Sequence, residues 1–258
     1  RRSVFIQIPA STQIEGLFGY GKYSLSSLSQ LGKMEKMGNR LLRQSLSEAL
    51  AIPIFWDWEE KTMQLGEAAP RDRIKQVFSF SGIGKYLTGR YTTNLSLPTY
   101  LRLARAASKL TPATSITLDL AQAGVLTPAP LPDGTSVPSL DQERWDFVLG
   151  NTLADEEIRR EGAAIAVYNT TATPTLGTRV ARFLGHLGAT VVTVGNSEER
   201  VGRCQLIGQA SSLKTATAHL IGALLNCEKQ VKEETTRAEL ILRVGSDFEA
   251  RFQPRGRN

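Results

Sequence analysis

The chain has 258 residues, 41% of them hydrophobic, so it can bury a core and form one or two globular domains. Its net charge of +6 is uneven, because residues 1–109 hold 16 Lys and Arg against 8 Asp and Glu, whereas residues 110–258 hold 15 against 17. It has no apolar run long enough to span a bilayer, so we expect none of these residues to form a membrane-spanning helix. The basic half suits nucleic acid, an anionic membrane or a phosphate-bearing polymer, and equally a solvated surface.

In the N-terminal half, apolar runs alternate with helical patterns. These predict strands in SVFIQIP, IPIFWDW and SITLDLA, and helices in SLSSLSQLG, NRLLRQSLSEALA and LSLPTYLRLARAASKL. The alternation is typical of an α/β layered domain, which we assign to residues 1–123. Four of the eleven prolines fall in residues 124–138, which we interpret as a linker, and two helices, the first capped by Ser139, complete a connecting region over 124–160.

Residues 161–252 follow a regular order of elements. The patterns predict a strand in AAIAVYN, a helix in TLGTRVARFLGHLG, strands in ATVVTVGN and GRCQLIG, a helix in SLKTATAHLIGALLNCE and a final strand in AELILRVG. This βαββαβ order predicts a ferredoxin-like sandwich with both helices on one face of the sheet. The fold class is therefore α/β, with an α/β layered N-terminal domain and a smaller ferredoxin-like C-terminal domain.

The two cysteines lie in this C-terminal domain and have no metal-binding spacing with His186 and His219. In a βαββαβ sandwich the second helix runs antiparallel to the strand before it. Cys204, at the start of that strand, and Cys227, at the end of that helix, should then lie at one edge. We predict a disulfide with a Cα separation of about 5.5–6 Å, formed in an oxidising compartment. Two buried free thiols are the alternative.

A polar turn separates the first strand and helix of this domain, and its candidate residues are Asn169, Thr170, Thr171 and Gly177. A dinucleotide-binding loop needs more glycines, and a Walker loop needs Gly-Lys-Ser/Thr at the helix start, so neither is present. Asn169 and the threonines can hydrogen-bond the helix N-terminus or a ligand hydroxyl. A capped, solvated turn is the preferred interpretation.

Longer segments resemble known families. The stretch IAVYNTTATPTLGTRVARFLGHLGATVVTVGN, with AELILRVGSDF closing the domain, resembles the LytR C-terminal domain. Upstream, FIQIPASTQIEGLFGYGKYSLSSLSQLG, LLRQSLSEALAIPI and YTTNLSLPTYLRLA resemble, in the same order, segments of the LytR-CpsA-Psr catalytic domain. The resemblance implies a bacterial, membrane-anchored, extracytoplasmic protein, from a family that moves glycopolymers from a polyprenyl pyrophosphate carrier to peptidoglycan.

One motif departs from the family pattern. The family's first strand ends in Pro-Arg-Asp-Thr, whereas this chain has Pro9-Ala10-Ser11-Thr12, so the arginine and the neighbouring carboxylate are missing. Transfer of a phosphoryl-linked polymer requires Arg side chains and a divalent ion to neutralise the pyrophosphate. We therefore assign no catalytic residue, no metal ligand and no cofactor. We expect Mg²⁺ as a cofactor only if the chain is an active transferase.

Five basic residues are candidates for contacting an anionic polymer: Lys22, Arg40, Arg71, Arg73 and Arg90. Lys22 occupies the position of a basic residue in the family motif that it resembles. The basic character of the N-terminal half comes from arginines that occur mostly at helical spacing, namely Arg40, Arg43, Arg90, Arg102 and Arg105. Solvated surface positions are the alternative interpretation, so we expect at most a diffuse basic patch.

Two other groups near residue 57 have a functional and a structural interpretation. The carboxylates Asp57, Glu59 and Glu60 could hold a metal ion, although a solvated loop fits them better. Trp56 and Trp58 lie in a predicted strand and could stack on a sugar or a lipid, although core packing fits them better.

We interpret the protein as an extracytoplasmic cell-envelope protein that binds cell-wall glycopolymer or peptidoglycan without catalysis. The resemblance also implies contact with polyprenyl phosphate lipid and a membrane anchor upstream of residue 1. By analogy with other βαββαβ domains, glycan would bind across the exposed face of the sheet. Two alternatives stay open: an active transferase, and a DNA-binding transcriptional regulator, although no helix-turn-helix, zinc finger or RNA-binding signature is present and we expect no nucleic-acid partner.

Overall fold

The computed structural model describes residues 3–60, 69–131, 133–232 and 237–249. The chain divides into two compact units, each built from three stretches of sequence. Unit 1 is Arg1–Ile14, Tyr23–Arg43 and Ile54–Leu140, and unit 2 is Glu15–Lys22, Gln44–Pro53 and Asp141–Asn258. The predicted C-terminal limit at residue 252 lies outside the described residues. Within the described ranges, no helix has both the length and the apolar character needed to cross a membrane.

Up to residue 140, strands and short helices alternate. The strands are β1 (Ser3–Gln7), β2 (Gln13–Gly16), β3 (Gly21–Ser24), β4 (Trp58–Glu60), β5 (Tyr91–Thr93), β6 (Ser115–Asp119), β7 (Leu126–Pro130) and β8 (Ser136–Leu140). The helices are α1 (Leu25–Met34), α2 (Arg40–Leu50), α3 (Pro70–Val77), α4 (Phe80–Leu87) and α5 (Leu97–Ala107). β1 pairs in parallel with β6, β4 pairs antiparallel with β5, and a four-stranded sheet has the order β3-β2-β8-β7.

The prediction of a linker over residues 124–138 is wrong, because this stretch forms the antiparallel hairpin of β7 and β8. Pro128 and Pro130 lie on β7, which is an edge strand, where a missing backbone N–H leaves no ladder partner unsatisfied. The predicted cap of the next helix is also wrong. Ser139 lies within β8, and Asp141 caps that helix by accepting a hydrogen bond from the N–H of Arg144 at 3.1 Å.

The strand predicted in IPIFWDW begins later than expected. Residues 52–57 have no regular secondary structure, and β4 starts only at Trp58. From Trp58 onward the aromatic side chains pack together: the ring of Trp58 lies 5.4 Å from that of Phe78 and 5.1 Å from that of Tyr91, and Phe78 lies 5.1 Å from Tyr100. The core interpretation therefore holds for Trp58. The core interpretation fails for Trp56, which is 47% exposed.

From residue 141 the chain forms the larger part of unit 2. Its elements are α6 (Gln142–Leu153), α7 (Glu156–Glu161), β9 (Ala164–Asn169), α8 (Leu176–His186), β10 (Thr190–Asn196), β11 (Gln205–Gly208), α9 (Ala216–Leu225), β12 (Glu228–Val231), β13 (Leu240–Val244) and α10 (Ser246–Glu249). The five strands form one sheet of order β10-β9-β13-β11-β12. The C-terminal domain is thus a small α/β domain, and the predicted fold class is confirmed.

The ferredoxin-like arrangement within that class is wrong. In a split βαβ unit a further strand separates the two strands that the helix connects. Here β9 pairs directly and in parallel with β10, β11 pairs in parallel with β12, and β13 lies between β9 and β11. The difference comes from β12, whose sequence EKQV is mostly exposed and polar. It carries no apolar alternation and was missed.

One face of this sheet is covered by α8 and α9. The apolar stripe of α8 is buried against the strands through Leu176, Val180 and Leu184, and α9 contributes Ala218 and Ile221. The other face, which we call the second face, points away from both helices. The apolar residues that the sequence pattern placed on one side of α8 therefore form part of the core of this domain.

Candidate functional site

The position of the missing family arginine is a tight turn. The N–H of Thr12 donates to the carbonyl of Pro9 at 3.0 Å, which closes the turn over Ala10 and Ser11. The turn packs against the start of α1. Its Thr12 carbonyl accepts from the N–H of Leu25 at 3.0 Å, and its Ala10 carbonyl accepts from that of Ser26 at 3.1 Å.

This geometry bears on phosphate binding. Free N–H groups at a helix N-terminus are what would hold a phosphate. At α1 two of them are occupied by the turn, and Ser24 accepts from the N–H of Ser27 at 3.1 Å. The start of α1 is therefore already satisfied by the chain's own oxygen atoms.

The five candidate basic residues are spread over four parts of the chain. Lys22 is an exposed residue of β3 and Arg40 begins α2. Arg71 and Arg73 are two positions apart on α3, so their side chains leave the helix in different directions. Arg90 is exposed between α4 and β5. Polymer binding through these residues stays a prediction.

Arg71 has an anionic partner within its own helix. Its Nε and Nη2 atoms donate to the two carboxylate oxygens of Asp72 at 2.8 and 3.0 Å. These hydrogen bonds from Arg71 to Asp72 raise the pKa of Arg71 and lower the pKa of Asp72. The planar fork of this guanidinium is thus directed at a neighbour rather than at a ligand.

The carboxylates near residue 57 each contact a basic side chain. Asp57 lies 3.4 Å from Arg43, Glu59 lies 2.6 Å from Lys33, and Glu60 lies 2.8 Å from Lys85. Over the ranges given above, no group of three or more His, Cys, Asp or Glu residues is arranged to hold a metal ion. These carboxylates therefore form ion pairs in the structure.

The polar turn after β9 is held by its own residues. Asn169, which is 4% exposed, donates from Nδ2 to the carbonyl of Thr173 at 2.9 Å and accepts at Oδ1 from the N–H and hydroxyl of Thr171. Thr170, which is 2% exposed, donates to the carbonyl of Val244 at 2.7 Å and accepts from the N–H of Val201 at 3.3 Å. These contacts connect the ends of β9 and β13.

Gly177 has a packing role beside this turn. A Cβ atom at Gly177 would lie 3.4 Å from Val194 and 3.5 Å from the Cβ of Asn169, so the first turn of α8 fits closely over β9 and β10. The turn residues named from the sequence thus lie together. The hydrogen bonds of Asn169 and Thr170 are made within the domain, as in a structural turn.

The two cysteines form a disulfide. Their Cα atoms are 4.4 Å apart, closer than the separation expected from the sequence, and 23 positions separate them in the chain. Cys204 lies directly before β11 and Cys227 lies between α9 and β12. The N–H of Glu228 also donates to the carbonyl of Cys204 at 2.8 Å, so the covalent bond and the sheet hold the same edge.

The second face of the sheet differs from the surface expected by analogy. Its central residues Ala166, Ile207 and Ile241 are only 1%, 1% and 3% exposed, and Tyr168 and Ala238 pack against them. Across the sheet, Arg243 pairs with Glu199 at 2.7 Å and has 14% of its side chain exposed. A glycan strand therefore has no open surface at the centre of this face.

An exposed aromatic pair was missed as a surface feature from the sequence. Phe55 and Trp56 are 41% and 47% exposed, and their ring centroids lie 5.8 Å apart with an interplanar angle of 53°. The alternation of apolar residues indicated a strand and a core. Because β4 starts only at Trp58, the rings of Phe55 and Trp56 lie outside this strand.

Comparison with known proteins connects part of the chain to a family. Residues 162–248 match the family model described as LytR cell envelope-related transcriptional attenuator, and this segment contains all strands from β9 to β13. Over these residues the C-terminal domain is therefore similar to a family described as cell envelope-related. The match does not extend to the N-terminal half, where the LytR-CpsA-Psr resemblance stays a prediction.

Two solved structures are similar to parts of the chain. The solution structure of the C-terminal domain of RV0431 is 26% identical, covers 32% of this chain and 71% of that chain, and has a TM-score of 0.26. The crystal structure of the transcriptional regulator yvhJ from Bacillus subtilis is 14% identical, covers 55% of this chain and 76% of that chain, and has a TM-score of 0.39. Both TM-scores are too low to support a conclusion about function. No curated protein matches the chain.

Proposed function

We propose that this protein is an extracytoplasmic component of the bacterial cell envelope that binds a cell-wall polymer and does not transfer it. The observation that carries this proposal is the turn from Pro9 to Thr12. It has no guanidinium, and its carbonyls occupy the first N–H groups of α1. A site that must hold a pyrophosphate during transfer needs these groups free and positively polarised.

The envelope location is supported by two independent features of the C-terminal domain. The matched family is described as cell envelope-related. The disulfide between Cys204 and Cys227 fits an oxidising compartment, because cytoplasmic thiols are kept reduced. A membrane anchor upstream of residue 1, and contact with polyprenyl phosphate lipid, belong to the same proposal and rest on the family resemblance alone.

The first prediction separates binding from transfer. Purified full chain is mixed with isolated bacterial cell walls and sedimented, and in parallel it is incubated with Mg²⁺, a polyprenyl-pyrophosphate-linked glycopolymer and peptidoglycan. We expect the protein to sediment with the walls and no polymer to become covalently attached. A known transferase of the LytR-CpsA-Psr type is the positive control for the second assay.

Two results would contradict the proposal. Attachment of glycopolymer above the enzyme-free background would favour the active transferase. Absence of wall binding, together with duplex DNA binding that weakens steeply as salt rises, would favour the transcriptional regulator, because counterion release produces that salt dependence.

A further inference from the structure

The exposed pair of Phe55 and Trp56 is carried by a segment whose backbone is fixed on both sides. The carbonyl of Phe55 accepts two hydrogen bonds, from Arg43 Nη1 at 2.8 Å and from Asn94 Nδ2 at 3.0 Å. The carbonyl of Asp57 accepts from the hydroxyl of Thr93 at 2.7 Å. The three-residue segment 55–57 is thus held in place although it belongs to no helix or strand.

Asn94 connects the two ends of this segment. Its side-chain amide donates to the Phe55 carbonyl and accepts from the N–H of Asp57 at 2.9 Å. β5 ends at Thr93, which is paired with Trp58, so the Asn94 side chain extends the β4–β5 ladder by one step. The residue between these two bonded positions is Trp56, which is 47% exposed.

This arrangement differs from that of an isolated exposed aromatic residue. Phe80, at the first position of α4, is 95% exposed, and single exposed apolar residues are ordinary on protein surfaces. Phe55 and Trp56 instead lie 5.8 Å apart on a backbone fixed by four hydrogen bonds to three side chains. A rigid pair of rings loses little conformational entropy when a ligand packs against it.

The charges beside the rings indicate which ligand fits. The acidic residues that follow the pair, Asp57, Glu59 and Glu60, are each in an ion pair with Arg43, Lys33 or Lys85. Each of these three carboxylates is therefore balanced by one basic side chain, and each of these three basic side chains by one carboxylate. An anionic membrane would require unpaired positive charge there, whereas a neutral ligand that packs on aromatic faces would not.

We propose that Phe55 and Trp56 form a stacking site for a pyranose ring of a neutral polysaccharide. The C–H groups on one face of a sugar ring carry partial positive charge and pack on the negative face of an aromatic ring. Because the two ring centroids are only 5.8 Å apart, the sugar would pack on the exposed aromatic surface that the rings form together, not between them. This inference rests on the proposed function, because it identifies the sugar chemistry and the surface by which unit 1 contacts the wall polymer.

The test uses the full chain with two neutral probes. The first is bacterial cell wall from which anionic polymers have been removed by acid, measured by sedimentation. The second is the soluble glucose oligomer cellohexaose, measured by saturation-transfer NMR and by protection of tryptophan fluorescence from iodide quenching. We expect the Trp56→Ala and Phe55→Ala variants each to lose about tenfold in affinity, as expected for removal of one stacked ring.

Three further variants separate stacking from general hydrophobic effects. Trp56→Phe keeps an aromatic face and should recover most of the binding. Asn94→Ala keeps both rings but removes the two hydrogen bonds that hold their backbone, and we expect a loss of about threefold. Phe80→Ala is the matched control, because it removes an exposed ring elsewhere on unit 1, and it should bind like the unchanged protein.

The outcomes distinguish this inference from the proposed function. If the unchanged protein binds walls and the Trp56→Ala and Phe55→Ala variants bind equally well, the stacking site is refuted and the proposed function stands. Vesicles containing phosphatidylglycerol serve as a third, anionic probe: if Trp56→Ala loses binding to these vesicles but not to the two neutral probes, the surface contacts lipid and the inference is again refuted. If the full chain binds cellohexaose through Trp56 but does not bind walls, the proposed function fails.

Discussion

At the scale of single residues, Gly82 shows how the backbone of one helix restricts the choice of amino acid. A Cβ atom at Gly82 would lie 1.7 Å from the carbonyl oxygen of Val77 and 3.0 Å from the hydroxyl of Tyr100. That hydroxyl donates to the same Val77 carbonyl at 2.7 Å. The start of α4 therefore fits against the end of α3 only where no side chain is present.

Replacement of this glycine is the residue-scale prediction. We expect Gly82→Ala to lower the free energy of unfolding by about 2–3 kcal/mol, because the backbone carbonyl it meets cannot move without breaking the Tyr100 hydrogen bond. Gly84→Ala is the matched control on the same helix. No atom lies within 4 Å of its added Cβ, and we expect it to stabilise by up to about 1 kcal/mol. Urea unfolding of both variants measures the difference, and equal effects would contradict the prediction.

At the scale of elements, the start of α9 is capped by a side chain from another helix. Glu161, the last residue of α7, accepts hydrogen bonds from the N–H of Ala216 at 2.7 Å, and from the N–H and hydroxyl of Thr217 at 2.8 and 2.5 Å. Desolvation raises the pKa of Glu161. The hydrogen bonds from Thr217 and Ala216 together outweigh it, so the pKa lies below its usual value.

The element-scale prediction follows from the direction of this shift. A carboxylate with a lowered folded-state pKa contributes stability above the unfolded-state pKa of about 4.3, and that stability is lost as the pH falls through the folded value. We expect Glu161→Gln to lower the free energy of unfolding by about 1 kcal/mol at pH 7 and by less at pH 3. Glu156→Gln, on the same helix, is the control. A difference that does not change between pH 7 and pH 3 would contradict the role of the charged form.

At the scale of the whole molecule, unit 2 extends beyond the segment that matches a family. The polar side of α8 has partners from residues before 162. Arg182 donates twice to Asp146 at 2.9 and 2.8 Å, and His186, which is 4% exposed, lies 2.9 Å from Asp146 and 3.2 Å from the carbonyl of Ala51. The fully buried Trp145 donates to the carbonyl of Leu50 at 2.9 Å. Helix α6 and the second half of helix α2 are therefore part of this unit's structure.

Removal of the Asp146 carboxylate, which Arg182 and His186 share, tests whether residues before 162 stabilise this unit. We expect Asp146→Ala to lower the free energy of unfolding by about 2 kcal/mol, because it leaves the buried ring of His186 and the Arg182 guanidinium without their common acceptor. Glu228→Gln is the control, since its pair with Arg203 has both side chains about half exposed and should change stability by less than about 1 kcal/mol. Chemical denaturation measures both. If Asp146→Ala is no more destabilising than the control, the hydrogen bonds of Asp146 do not stabilise the domain.

The sequence predicted helices and strands well where one side of the element is buried in the core. The stripe of Leu176, Val180 and Leu184 indicated α8, and the apolar runs at β9 and β13 indicated buried strands, because burial on one side produces a local periodicity. It also named the residues of the turn after β9 and the two cysteines that form the disulfide. These features depend on neighbours that are close in the chain or on the order of elements.

By itself, then, the sequence determined the α/β class, the main helices and most of the strands of the C-terminal domain. Only the tertiary structure decided the position of the polar strand β12, the pairing of the proline-containing hairpin and the exposure of Phe55 and Trp56. An edge strand needs no apolar pattern, and a proline is tolerated where its missing N–H faces no partner. Whether a ring is buried depends on residues far away in the chain, here Arg43 and Asn94, which fix the backbone that carries it.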